Sequence, residues 1–305
     1  MRAWTLSLFA LGVCLGGAGT VAAQASPPCD QLSREVRLPA VADNARELNF
    51  HLFDAAKQGC LDLVDALLEQ GASLGARDRF GNTALTLTAR AGHAALVRAM
   101  LDRGAAIDHA NLGGSTSLLR AIENGQPETA ALLLDAGADP NIADQRGIHP
   151  LIAAAYDGDD GLVRSLLAHG ADPKPADRTG KSALVYAAGN GFPRVVEALL
   201  AAGVPVDDAD THGLTPLMWA AGHADQVSSD DGAATVDLLI DRGTDIALAD
   251  DRGRTALMIA AERGHAGIVE RLLAKGADPL ARDSAGKRAV DLAADDRIRA
   301  VLGKL

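Results

Sequence analysis

Aromatic side chains are scarce here, five Phe, two Trp and two Tyr in 305 residues. With 48% hydrophobic composition and so few rings, the interior must be built from Ala and Leu. Positive charge is also short, 29 Lys and Arg against 40 Asp and Glu, which leaves a net charge of −11 and no basis for a nucleic-acid partner. Beyond residues 3–23 no stretch is apolar enough to span a bilayer. Catalytic signatures are missing as well. There is no Gly-x-Ser-x-Gly and no His-Glu-x-x-His, and the eight histidines lack metal-ligand spacing. Two partial matches dissolve on inspection. Gly180-Lys181-Ser182 looks like the tail of a phosphate-binding loop, but Pro175 stands where that loop needs Gly. Asp208-x-Asp210-x-His212-Gly213 starts like a calcium loop, but Trp219 occupies the place of its closing Glu. Neither a cofactor nor a metal is expected, and the chain does not read as an enzyme.

What the sequence does have is a period. A unit opening with Gly recurs at Gly81, Gly114, Gly147, Gly180, Gly213, Gly253 and Gly286, at spacings of 33, 33, 33, 33, 40 and 33. One period earlier, the pattern fits from Leu48 without its opening Gly. Length alone allows two domains, but such a repeat means one quasi-linear array. Thr83, Thr116, Ser182, Thr215 and Thr255 stand where a hydroxyl can cap a helix. Pro150 and Pro216 follow at the first helical position, where a missing N–H costs nothing. The first helix of each unit carries paired alanines, as in Ala154-Ala155, Ala187-Ala188, Ala220-Ala221 and Ala260-Ala261. The second carries leucines, read as Leu67-Leu68, Leu132-Leu133, Leu166-Leu167, Leu199-Leu200 and Leu272-Leu273, to be buried between repeats. Gly71, Gly104, Gly137, Gly170, Gly203, Gly243 and Gly276 end it. An Asx residue precedes each opening Gly by three, from Asp78 and Asn111 to Asp283, and suits a tight turn.

Period, Gly-x-Thr, paired alanines, Gly-His, Leu-Leu and Gly-Ala-Asp, all in frame, closely resemble the ankyrin repeat family over residues 48–305. The resemblance implies an all-α solenoid of helix-turn-helix units joined by β-hairpin-like fingers. The units are 48–80, 81–113, 114–146, 147–179, 180–212, 213–252 and 253–285, with a shortened capping unit at 286–305. The family's TPLH tetrapeptide loses its His throughout, to Thr86, Leu119, Ile152, Val185, Met218 and Met258, and His149 replaces one opening Thr. Somewhat weaker caps and an unchanged fold are expected. Residues 24–47 form a polar lead-in. The seven extra residues of the sixth unit fall at 223–232, read as a polar loop that is either a tolerated insertion or a contact.

Residues 1–23 read as a secretory signal peptide, with Arg2, an apolar run from Trp4 to Val13, and Val21-Ala22-Ala23 at the cleavage site. The alternative is an uncleaved anchor, which Gly12, Gly16, Gly17 and Gly19 weaken. Cleavage removes Cys14 and leaves Cys29 and Cys60, either one disulfide or two thiols. A periplasmic monomer is the expected form, with no membrane attachment after cleavage.

By the resemblance, partners bind in a concave groove. Its variable positions are the two after each Asx, the one after the opening Gly and the two after the paired alanines. From the second repeat they include Arg79, Phe80, Arg90, Arg146, Ile148, Tyr156, Arg178, Lys181, His212, Leu214, Arg252, Arg254, Arg263 and Lys287. Nine basic side chains there face four acidic ones, Glu123, Asp157, Asp251 and Glu262. A basic groove on an acidic body suits a protein partner with an acidic surface, unless the arginines pair with neighbouring aspartates. Phe80, Tyr156, Ile148 and Leu214 are the candidate apolar anchors. Three other roles stay open: accessory factor to an exported redox enzyme such as a catalase, immunity protein against a toxin acting in the periplasm, or a hydrolase with an unrecognised site.

Overall fold

The computed structural model describes residues 27–36, 44–223 and 227–304. The signal-peptide segment 1–23 with Cys14, and residues 24–26 and 37–43 of the lead-in, lie outside them. Among the described residues there are seventeen helices and no strand. Helix α1 is Pro27–Val36. Then come pairs of inner and outer helices: Ala45–Gln58 (α2) with Leu61–Glu69 (α3), Ala84–Ala91 (α4) with Ala94–Asp102 (α5), and Ser117–Glu123 (α6) with Pro127–Asp135 (α7). Pro150–Asp157 (α8) follows with Asp160–Ala168 (α9), Ala183–Gly189 (α10) with Pro193–Ala201 (α11), and Pro216–Ala221 (α12) with Ser229–Asp241 (α13). The last are Ala256–Arg263 (α14) with Ala266–Ala274 (α15), and Ala289–Leu292 (α16) with Asp296–Leu302 (α17). Inner helices pack on inner helices, and outer on outer, down the array. The all-α solenoid is the fold that forms.

The local signals act as expected. The hydroxyls of Thr83, Thr116, Ser182, Thr215 and Thr255 each accept the backbone N–H three residues on, at 3.3–3.4 Å. These bonds are long, and His149 makes no side-chain cap at all. The paired alanines are wholly buried, which lets successive inner helices approach closely. Of the outer-helix leucines, Leu67, Leu166, Leu199 and Leu272 are fully buried, while Leu68, Leu167, Leu200 and Leu273 are half-buried. In the third repeat the pair in register is Leu133–Leu134, both buried, and not Leu132–Leu133. Leu132 faces partly outward because it sits one residue ahead of the buried stripe.

Each finger is a hairpin-like turn. The Asx backbone N–H donates to the carbonyl four residues on, from Asp78 to Asn82 through Asp283 to Lys287. Successive fingers are joined by backbone bonds, as from Leu112 to Phe80, Gln145 to Gly113 and Arg178 to Arg146, at 2.9, 2.9 and 3.0 Å. This close approach explains the opening glycines. Gly114 has φ +83°, and a Cβ there would meet Gln145 N at 2.9 Å and Asp144 Cα at 3.0 Å. Gly286 has φ +76° but a Cβ there would meet no atom within 4 Å, because no finger packs on it among the described residues. Gly286→Ala should therefore cost only about 1–2 kcal/mol for the left-handed backbone. Gly114→Ala should cost roughly 1–3 kcal/mol more, because the neighbouring finger must shift. Urea unfolding of the two variants measures the difference, and equal midpoints would refute the account.

The two ends and the long sixth unit differ from the periodic reading. Helix α1 packs on α2 with Val36 buried and Cys29 and Leu32 half-buried. Helix α2 is 14 residues long and starts at Ala45, ahead of the repeat frame, because Asn44 Oδ1 accepts the Arg46 N–H at 3.0 Å. In the sixth unit residues 229–232 are helix, not loop. Ser228 caps α13, and the buried Gly232 packs on His223, whose ring stacks on His265 at 3.9 Å. The lengthening is thus largely taken up as an extra helical turn, and residues 224–226 lie outside the described part.

Candidate functional site

The finger carboxylates frame the site. Oδ1 of Asp78, Asp144, Asp177, Asp210, Asp250 and Asp283 each accepts two backbone N–H groups of its own finger, and Asn111 does the same through its amide oxygen. In the middle repeats the other oxygen reaches the inner helix. Asp177 Oδ2 accepts from the Tyr186 hydroxyl at 2.7 Å, and Asp210 Oδ2 from Trp219 Nε1 at 3.1 Å. Fingers and inner helices are thereby held at a fixed angle, and the angle between them is the groove.

The expected groove residues collect in separate hollows along that angle. Arg79, Phe80 and Arg90 line one of about 1270 Å³, together with Phe50 and Phe53. The Arg79 guanidinium lies 4.6 Å from the Phe80 ring centre, and Phe80 is 55% exposed. Arg146, Ile148 and Tyr156 line a second hollow of about 340 Å³. Leu214, Arg252, Arg254 and Arg263 line a third of about 520 Å³, and His212 joins Leu214 and Arg252 in an adjoining one of about 300 Å³. Arg178 lines none of these and stands exposed on its finger, as does Lys287. Lys181 Nζ lies over Tyr186 at 5.5 Å and Trp219 at 4.5 Å.

The charge is not evenly basic. Arg146 bonds Asp144 at 2.6 Å and Glu123 at 2.5 Å, the first contributing most to raising its pKa. Arg254 bonds Asp250 at 3.2 Å and Glu262 at 2.7 Å, with its side chain only 12% exposed, and Arg252 shares Asp250 at 3.3 Å. Three of the nine basic groups are therefore neutralised by the protein itself. Arg79, Arg90, Arg178, Lys181, Arg263 and Lys287 make no ion pair among the described residues.

Tyr186 and Trp219 are absent from the positions read from sequence, yet both face the groove. They stand four residues after the capping residue, in register with Leu87, Arg120, Ala153 and Ile259. A helix places that position on the same face as the two after the paired alanines, three and four residues on. The signal was therefore present in the period. Tyr156 and Tyr186 meet edge to face at 5.6 Å.

Burial, then the hydrogen bond to Asp177, pushes the Tyr186 pKa up to about 12. Burial alone would raise Asp177 too, but bonds from Tyr186, Thr179 and two backbone N–H groups outweigh it and hold its pKa below the usual value. Since the folded phenol titrates above the unfolded one, its stabilising contribution is full below about pH 10 and lost as pH rises through about 12. Alkaline titration at 295 nm should show, by difference between wild type and Tyr186→Phe, one phenol ionising near pH 12. A difference step near pH 10 would show that the Asp177 bond is not made.

No helix among the described residues is long and apolar enough to cross a membrane, and none of their His, Cys, Asp and Glu side chains form a group able to hold a metal ion. Sequence models described as Ankyrin repeats (3 copies) match residues 52–144 and 151–229, Ankyrin repeats (many copies) match 239–293, and Ankyrin repeat matches 212–251. Two curated relatives are both called Ankyrin repeat domain-containing protein 63. The one from Homo sapiens is 48% identical over 62 residues, 20% of this chain and 16% of the relative. The one from Mus musculus is 49% identical over 59 residues, 19% of this chain and 15% of the relative. The matched segment thus spans about a sixth of each relative's length.

Proposed function

Because this chain belongs to the ankyrin repeat family, whose repeats form protein–protein interaction modules, we propose that it binds a protein partner in the groove between fingers and inner helices. The role is binding, not catalysis, and the partner presents an acidic surface. The observation that carries this reading is the set of exposed groove side chains that the protein leaves unneutralised. Arg79, Arg90, Arg178 and Arg263 are exposed and, like the half-buried Lys181, make no ion pair among the described residues; Arg79 stands against Phe80, and Phe80 and Tyr156 are themselves more than half exposed. Aromatic and arginine side chains dominate binding energy where a partner covers them.

We place the protein outside the cytoplasm, as a monomer. The composition of residues 1–23 supports this, as does the bond between Cys29 and Cys60, which needs an oxidising compartment to persist. Release by osmotic shock, with an N-terminus at Gln24 or Ser26, is the expected result. Intact chain starting at Met1 in the membrane fraction would overturn it.

The groove is tested on a partner captured from periplasmic extract and then purified. Arg178→Glu and Lys181→Glu should slow association and flatten its salt dependence, because they reverse steering charges. Tyr156→Ala should mainly speed dissociation, by at least about 30-fold if Tyr156 is a hot spot of 2 kcal/mol or more. Wild-type kinetics in all three, with binding abolished by changes on the outer helices, would show that the groove is not the surface used. Arg146 is a poor probe, since its reversal would leave Asp144 without its counter-ion and Glu123 with Arg120 alone.

A further inference from the structure

The middle hollow runs against the charge of the rest of the groove. Its floor is Ile148 and Ile152, and its walls are the rings of Tyr156 and Tyr186. Three cations stand around it, Arg120, Arg146 and Lys181. Five anions oppose them: Glu123, Asp144, Asp157, Asp159 and Asp177. Glu123 is paired with Arg120 at 2.9 Å and with Arg146, while Asp159 and Asp177 accept hydrogen bonds from their own segments. Asp157, the last residue of α8, lines the hollow and makes no ion pair among the described residues. Asp157 is exposed at the mouth of the hollow, yet partial desolvation by its surroundings, and then the neighbouring Asp159 and Glu123 carboxylates, raise its pKa, the condition that an added cation would relieve.

We propose that this hollow is a subsite for one basic side chain of the partner, arginine in preference to lysine, with its stem on Ile148 and Tyr156 and its head at Asp157. The assignment rests on the groove being the binding surface. An apolar floor suits the methylene stem, which buries readily while its charged head stays at the rim. Aromatic walls attract a cation, and a flat guanidinium can both stack on a ring and bond a carboxylate. About 340 Å³ accommodates one such side chain but not a folded element. The unneutralised basic residues elsewhere in the groove call for acidic groups on the partner. The segment that docks is therefore acidic with a single arginine near its middle. Such a mixed pattern rejects uniformly acidic and uniformly basic chains alike, because each would place like charges together somewhere along the groove.

The test uses the full chain, ¹⁵N-labelled, titrated with the capped tripeptides Ac-Gly-Arg-Gly-NH2, its lysine and glutamate counterparts, and its neutral isostere with citrulline. The arginine peptide should shift the amides around Tyr156, Asp157 and Tyr186, saturably. The lysine peptide should bind more weakly, citrulline weaker still, and glutamate not at all. Asp157→Asn should weaken the arginine peptide about three- to tenfold, the range between an exposed ion pair and a charge-assisted hydrogen bond. Asp135→Asn, on an exposed carboxylate of an outer helix, should change nothing. Equal binding of arginine and citrulline, or shifts scattered over acidic surfaces and indifferent to Asp157→Asn, would overturn the assignment. A far-UV spectrum and melt of Asp157→Asn matching wild type secure the comparison. The groove reading fails separately. If the tripeptides behave as predicted while Arg178→Glu and Tyr156→Ala leave the captured partner bound, the pocket stands and the groove reading falls. The converse result keeps the groove and removes the pocket.

Discussion

Leu166→Ala should lower the unfolding free energy by about 3–5 kcal/mol, the range for a fully buried leucine whose cavity cannot collapse. Leu166 is wholly buried in α9, which packs against α8 of its own repeat, α7 of the preceding one and α11 of the following one. Its loss thus weakens two inter-repeat interfaces at once. In a linear array stability is approximately a sum of repeat terms and nearest-neighbour terms. A central defect should therefore partly uncouple the two halves as well as lower the midpoint. The measurement is guanidinium unfolding followed at 222 nm. A lower midpoint with a broader transition, hence a smaller apparent m, is expected. Leu167→Ala, half-buried in the same helix, should cost less than about 2 kcal/mol and leave the slope unchanged. Equal losses at Leu166 and Leu167 would contradict the assigned register of the outer helix.

That register was legible in the sequence because each unit must meet its neighbours with the same few atoms. Ala154 and Ala155 can only be small, Gly114 can only be glycine, and an Asx side-chain oxygen must accept the same two N–H groups in every finger. Repetition converts local packing demands into a visible period. What escaped the period is what depends on one repeat meeting another through long side chains. Arg146 finds Glu123 at a separation of 23 residues, and nothing in the spacing says whether it turns to that carboxylate or to solvent. The groove therefore reads as net basic from sequence, although its middle carries more acid than base. Tyr186 and Trp219 were hidden for a different reason. Their position holds Leu, Arg, Ala or Ile in other repeats, so it looks like a core position until the finger carboxylate that holds each ring is seen. The insertion in the sixth unit misled because Ser228-Ser229-Asp230-Asp231 looks like loop composition. The same residues are a helix start, with a serine cap and acids in the first turn.

Reducing the Cys29–Cys60 bond should cost about 3–4 kcal/mol, the chain-entropy value for a closed loop spanning 31 residues. The loss should be local. Among its described side chains helix α1 buries Val36 fully, with Leu32 and Cys29 half-covered, so its own packing holds it weakly. The bond ties it to Cys60, the buried residue that opens α3. Repeat arrays open from their ends, because an end unit has one neighbouring interface where a central unit has two. Cut the bond, and α1 should detach and expose the apolar face of α2 beneath it. Hydrogen exchange should then show lost protection in α1, α2 and α3, with α9 and α10 unchanged. Replacing both cysteines by serine should reproduce the effect of reductant, and reductant should have no effect on that double variant. Titration of the unfolded, unreduced protein should find neither Cys29 nor Cys60 reactive. Two reactive thiols there would remove the bridge, and with it one of the two supports for placing this protein outside the cytoplasm.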